Sequence, residues 1–261
     1  MKLRAPLTSQ QLLFAACRAF LLVLAAPVLV PAARAQDVII TTDNQQRNVK
    51  VIGVSPSGQT LDFQIGQGQL GLPLGNVKEV RMAPPPEYNQ AIAAYQAKDF
   101  VKSLGFVKGV VARFKGMPSP WAQQMVAMLG DLYIVTNDIP KAEVAYADFK
   151  RLYPNGGSLQ SEVGLSRLAV AKQDYETARQ KIEPITEAAL KEKAVNPANA
   201  IAYSQAFLVS GEVKEAAGNL PGALEDYLRT VTLFYHDRIA VSTAQERADA
   251  LRAAHPGVTV P

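Results

Sequence analysis

At 261 residues, 48% hydrophobic and 19% charged, the chain is long enough for one large or two modest cores and too apolar to be disordered. Its formal charge of +4 arises in the first 35 residues, where Lys2, Arg4, Arg18 and Arg34 stand without any Asp or Glu. Beyond them acids and bases balance, which excludes the electrostatic footprint of a nucleic-acid binder.

Residues 1–35 read as a secretory signal peptide: a basic stretch to Arg18, an apolar run from Ala19 to Val30, then Pro31 and the small-residue site Ala33-Arg34-Ala35. Cleavage after Ala35 places the mature chain in the periplasm or outside the cell; retention of the segment as an anchor is the alternative. The apolar run falls short of the roughly 20 residues that span a bilayer, and nothing later resembles a span. Cys17, the one cysteine, sits in Phe14-Ala15-Ala16-Cys17, which faintly resembles a lipoprotein site. The strongest apolar run follows it, however, so Cys17 reads as a passenger of the signal. The mature chain then has no disulfide, thiolate or zinc-cysteine chemistry.

Residues 36–83 alternate with the period of strands. Val38-Ile39-Ile40, Val49-Lys50-Val51, Leu61 to Ile65, Leu70 to Leu74 and Val77 to Met82 predict five short strands, with turns at Ser55-Pro56-Ser57-Gly58 and Gly75-Asn76. The stretch Ile65-Gly66-Gln67-Gly68-Gln69-Leu70-Gly71 matches the dinucleotide fingerprint G-x-G-x-x-G. A phosphate loop needs a helix directly after its glycines. Here Leu72-Pro73-Leu74-Gly75 follows, so the glycines predict a hairpin turn and no cofactor. A small antiparallel barrel or curled sheet is expected, and the pattern resembles the SH3-like and Sm-like barrels.

Pro84-Pro85-Pro86 reads as a stiff linker, after which helical periodicity runs from residue 87 to 254, with 255–261 as a tail. Leu129, Gly130, Tyr133, Ala142, Tyr146 and Pro154 fall at the spacings of the tetratricopeptide repeat, which this segment resembles. Val126 and Phe149 depart from the family, which often has Trp and usually Ala there. Asp138, with Ala142 four residues on, predicts a helix N-cap followed by a small contact residue. Asp99 with Ser103, Asp174 with Ala178 and Asn219 with Ala223 repeat that frame, at intervals longer than the family's 34 or so residues. A helix end, loop and restart are expected between Thr186 and Ala200, and Asp237 to Ala254 reads as a terminal helix. The fold class is therefore α+β: a small β module before an all-α solenoid. The pattern from Ala142 to Tyr153-Pro154 resembles an exported subgroup associated with outer-membrane assembly and Tol-Pal function.

The sequence supplies no constellation for catalysis. His236 and His255 lack metal-ligand spacing; His236 is expected near a helix end, where a cation is favourable. Gly164-Leu165-Ser166-Arg167-Leu168 lacks the second glycine of a nucleophile elbow, and Ser166 reads as a small packing residue. Trp121 reads as a hydrophobic staple after Pro118-Ser119-Pro120, with an exposed anchor as the alternative. The resemblance implies a concave face lined by the first helix of each pair, carrying Gln124, Asp131, Gln160, Arg167, Gln205 and Glu212, with Tyr88 and Tyr95 in the first pair. Amides and both charges together suit a peptide or protein partner rather than a polyanion. The expected function is an exported, non-enzymatic scaffold of the bacterial envelope. The alternatives are an enzyme or enzyme subunit acting on envelope polymers, and a self-assembling structural component.

Overall fold

The computed structural model describes residues 36–154, 158–197 and 199–260. The signal-peptide reading, with Cys17 and the cleavage point, lies outside the described residues.

The alternating N-terminal segments form five antiparallel strands: β1 (Asp37–Thr41), β2 (Gln46–Val54), β3 (Thr60–Ile65), β4 (Gly68–Pro73) and β5 (Val77–Arg81). Their order is β4-β3-β2-β1-β5. Period-two patterning sends Val49 and Val51, and Leu61 and Phe63, to the buried face, while a register shift between β1 and β5 lets Val77 and Val80, three residues apart, both be buried. Ile65 pairs with Gly68, so Gly66-Gln67 is a two-residue turn with Gly66 in the left-handed region at φ 58°. The fingerprint-like glycines thus make a hairpin, and no helix follows them. Strand β2 pairs with β1 and then with β3, its register shifting between Val51 and Gly53. At Gly53 the strand lies so close to the next layer that a Cβ would stand 2.7 Å from the carbonyl oxygen of Arg113. A 3₁₀ turn (Leu74–Asn76) leads into β5.

The helices are α1 (Pro86–Gln96), α2 (Phe100–Phe114), α3 (Pro120–Val135), α4 (Ile139–Leu152), α5 (Ser158–Ala171), α6 (Tyr175–Lys191), α7 (Ala200–Ala216), α8 (Leu220–Thr232) and α9 (Arg238–Ala254). Four turns, between α1 and α2, α3 and α4, α5 and α6, and α7 and α8, share one construction. The residue before the cap is left-handed: Lys98, Asn137, Gln173 and Gly218, at φ between 59° and 76°. The cap follows, and Asp99, Asp138, Asp174 and Asn219 each accept a hydrogen bond from the backbone N–H three residues on. Four residues past each cap comes a fully buried small residue: Ser103, Ala142, Ala178 or Ala223. The cap N–H itself bonds back to a carbonyl five residues earlier, which ties off the preceding helix.

These turns reverse the chain. Along α7 and α8, Ser210 meets Asp226 and Gly211 meets Tyr227, while Ser204, farther from the turn, reaches the carbonyl of Phe234. Each helix packs on its successor, and α3, α5, α7 and α9 also pack in series to form an inner layer. Tyr146 of α4 presses its ring where the Cβ atoms of Gly130 and Gly164 would lie, so one side chain seats two inner helices. On the far side Lys98 bonds Ser242 and Glu246 of α9 at 3.1 and 3.0 Å, joining the first turn to the last helix.

The three prolines separate secondary-structure classes without separating cores. Pro86 begins α1, where its missing N–H costs little, and the described residues from Gln36 onward form one compact unit. Ile39, Leu61, Phe63 and Val80 of the sheet share a single apolar cluster with Val107, Val110 and Phe114 of α2 and with Trp121 and Met125 of α3. Two further bonds fasten the layers: Val80 N–H to the Pro118 carbonyl at 2.9 Å, and the Trp121 indole N–H to the Met82 carbonyl at 3.2 Å. Burying Phe114 alone contributes about 2–3 kcal/mol, so the β module is a structural layer of the helical region. The domain boundary expected at 84–86 is accordingly not a boundary of the core.

Candidate functional site

The inner layer encloses a cleft of about 510 Å³. Of the eight residues assigned to the inner face from sequence, Tyr88, Tyr95, Gln124, Asp131, Gln160 and Gln205 line it. They reach it from α1, α3, α5 and α7; the frame set by the shared turns puts Gln124, Gln160 and Gln205, each fourteen residues before its cap, on one surface, whereas Tyr88 and Tyr95 stand eleven and four before theirs. Trp121, Ile92, Met128 and Phe149 make its apolar end. Trp121 is not a staple against its own helix; it packs edge-on against Phe114 with ring centroids 5.1 Å apart and reaches Tyr88 at 6.4 Å.

Hydrogen bonds orient the polar groups. The Tyr88 hydroxyl donates to Gln124 Oε1 at 2.6 Å. Gln160 Nε2 donates to Gln205 Oε1 at 2.9 Å, and Gln205 Nε2 donates to Asp237 Oδ2 at 2.7 Å. Asp237 Oδ1 caps α9 through the N–H groups of Ile239 and Ala240. A carboxylate can only accept, so Asp237 fixes the direction of the whole amide chain. Burial raises the Tyr88 phenol above its ordinary range and keeps it a neutral donor.

The remaining two assigned residues, Arg167 and Glu212, do not line this cleft. They line a second, smaller cavity of about 380 Å³, together with Lys98, Phe100, Ile134 and Val170. Arg167 and Asp131 are committed to one another: Nη1 lies 2.5 Å from Oδ1, with side chains 17% and 6% exposed. Tyr146 also donates to Asp131 Oδ1 at 2.5 Å. Burial opposes the charge on Arg167, and Asp131 together with Tyr95, Tyr146 and Asp237 outweighs it and holds the guanidinium above its ordinary range. The expectation that Asp131 and Arg167 are free recognition groups is therefore corrected: they form a buried ion pair between α3 and α5. Glu212 is packed under Arg247 at 3.7 Å, and burial raises its carboxyl above the usual range despite that arginine.

His236 and Asp237, from the turn before α9, and Arg238, the first residue of α9, complete the cleft. This turn lies outside the fourfold frame, so register alone does not select it. Asp237 as the start of a terminal helix is legible; its second oxygen facing Gln205 is not. His236 sits at the N-terminal side of α9 rather than at a C-terminus, stacked on Tyr235 at 4.9 Å, and its backbone N–H donates to Ser204 Oγ. The helix-end cation expected there is corrected accordingly. Gly164 and Ser166 serve packing: the first faces Tyr146, and the second is buried with its hydroxyl on the Glu162 carbonyl. Among the described residues no cluster of His, Cys, Asp and Glu suited to a metal occurs. No described helix is long and apolar enough to cross a membrane.

The arrangement can hold a segment of extended chain: apolar walls at one end, oriented amides along the middle and a mixed polar rim at the other. No family model matches the sequence, and neither does any curated protein or solved structure.

Proposed function

We propose that this chain is a non-enzymatic interaction scaffold of the bacterial cell envelope, exported after removal of residues 1–35, which grips a peptide or protein segment in the inner-face cleft. In this reading residues 87–254 are a tetratricopeptide-like array, and the strands, packed on α2, are an SH3-like or Sm-like barrel that buttresses its first end. The observation that carries it is the convergence of six inner-face residues, from four helices far apart in sequence, on a single cleft with apolar walls and oriented amides. The repeated turn supports the array, and the strand order with its shared β2 supports the barrel.

Site-specific photocrosslinking tests the reading. A benzophenone side chain at Gln123, inside the cleft, is expected to trap a discrete partner in envelope preparations. The same probe at Val144, exposed on α4, is expected to trap none. Equal adducts from both positions, or none from Gln123, would overturn it.

A further inference from the structure

The charges around the cleft are unequally used. Asp131 is spent on Arg167 and Tyr146. Both oxygens of Asp237 are spent, one on Gln205 and one on the N-terminus of α9. Arg238 lines the cleft, is exposed, and forms no ion pair among those found in the described residues. Asp237 keeps its negative charge, with no cation paired to it among the ion pairs found in the described residues, but its oxygens are engaged, so the charged group left open to a ligand is Arg238. Its placement costs stability, because a cation in the first turn of α9 opposes the helix dipole. A local rule broken without a structural gain marks a position kept for another purpose. Beside it the exposed His236 ring, held flat on Tyr235, adds a second nitrogen-bearing group on the same rim.

The amides carry matching information. Gln205, turned by Asp237, offers its carbonyl to Gln160, so the carbonyl of Gln160 is left as an acceptor on α5. Gln124 accepts from Tyr88, so its NH₂ is left as a donor on α3. A donor and an acceptor on neighbouring inner helices complement the C=O and N–H of an extended peptide backbone. The opposite end, between Tyr88, Trp121 and Met128, takes an apolar side chain.

We infer that the occupant is an extended acidic peptide segment: an Asp or Glu side chain seated on Arg238 and His236, and an apolar side chain seated between Tyr88, Trp121 and Met128. The inference rests on the peptide-binding reading above and adds the charge and polarity of the ligand.

Fluorescence anisotropy with synthetic peptides tests it. The probes are fluorescein-labelled, C-terminally amidated nonapeptides with one Phe or Leu and, two to five residues away, Asp, Glu, Asn, Gln or Lys in an Ala/Ser background. Acidic members are expected to bind the purified protein about tenfold more tightly than their Asn or Gln counterparts, with the gap narrowing at high salt. Arg238→Glu favours the helix terminus, so it is expected to stay folded by circular dichroism while the preference shifts to the Lys members. Equal affinity for acidic and neutral members, or an acidic preference that survives Arg238→Glu, would overturn the charge assignment and leave the peptide reading intact. A preference appearing only with a free C-terminus would overturn the side-chain assignment. Binding unaffected by blocking the cleft with Ala127→Trp, or no binding by any member, would overturn the peptide reading itself.

Discussion

The region up to α4 and the region from α5 onward use the same hairpin turn but are held together differently. In the first, Phe63, Phe114, Met117, Trp121, Met125 and Phe149 belong to one apolar core that runs from the sheet through four helices. In the second, the interior is rich in Ala178, Ala202, Ala206, Ala223, Ala244 and Ala248, divided between two smaller clusters. Ser204, Ser210, Asp226 and Thr230 are buried among them. Small residues let helices approach closely but supply little apolar area, so hydrogen bonds must fix what volume does not. Ser204 takes N–H groups from His236 and Asp237 while donating to Phe234, and Asp226 gathers Ser210, Lys214 and Arg229. Large cores specify by filling; small ones specify by pairing. The Asp131–Arg167 pair and the Tyr146 ring join the two regions.

The sharpest break of this contrast is a matched pair of substitutions. Phe114→Ala should cost about 3–5 kcal/mol through lost area and a cavity. Because the core is shared, strand and helix signals should fall together, with Trp121, the sole tryptophan, reporting the change in urea titrations. Asp226→Asn, nearly isosteric, should cost about 3 kcal/mol in the second region by removing the buried charge that Lys214 and Arg229 share, leaving Lys214 without a carboxylate and Arg229 with Glu225 alone. A loss below about 1 kcal/mol would mean that pairing does not hold that half.

Alkali probes the first region again. Burial lifts the Tyr153 phenol to about 12, partly opposed by the Gly116 N–H that donates to its oxygen. A folded value above the unfolded one stabilises the protein fully below pH 10, and that contribution is lost as pH rises from about 10 through 12, on the order of 2 kcal/mol. Tyrosinate absorbance should therefore lag behind that of free tyrosine and rise with unfolding. A tyrosine titration complete by pH 11 in the folded state would contradict the burial.

At the joint, Gly164→Ala drives a methyl group into the Tyr146 ring and should cost about 1–3 kcal/mol, read as a lower thermal midpoint. The smallest effect is a gain: Gln173→Gly relieves a left-handed residue at φ 61° and should stabilise by about 0.5–1 kcal/mol in urea titrations.

What could be read in advance followed from local chemistry. The turns were legible because a cap and its small residue four positions on lie within one helical turn, and Asp99, Asp138, Asp174 and Asn219 all act as caps. The strands and the Gly66 turn were legible for the same reason. The repeat resemblance implies a face for each first helix, and Tyr88, Gln124, Gln160 and Gln205 do line one cleft. The resemblance does not give the distance between faces. Asp131 and Arg167 have the correct orientation, yet the inner helices close until the two charges neutralise each other instead of facing a ligand. Neither the shared core of Trp121, Phe114 and the sheet nor the reach of Arg238 into the cleft has a local signature, since both depend on elements brought together only by folding.

Tyr146 carries a consequence for descent. Its ring fills the space that two glycines on different helices leave open, and its hydroxyl serves the Asp131 carboxylate beyond them. Any side chain at position 130 or 164 collides with that ring, and a smaller residue at 146 would empty both niches at once. The three positions must drift as a set, so a relative with Ala at either glycine should show a compensating change at the tyrosine.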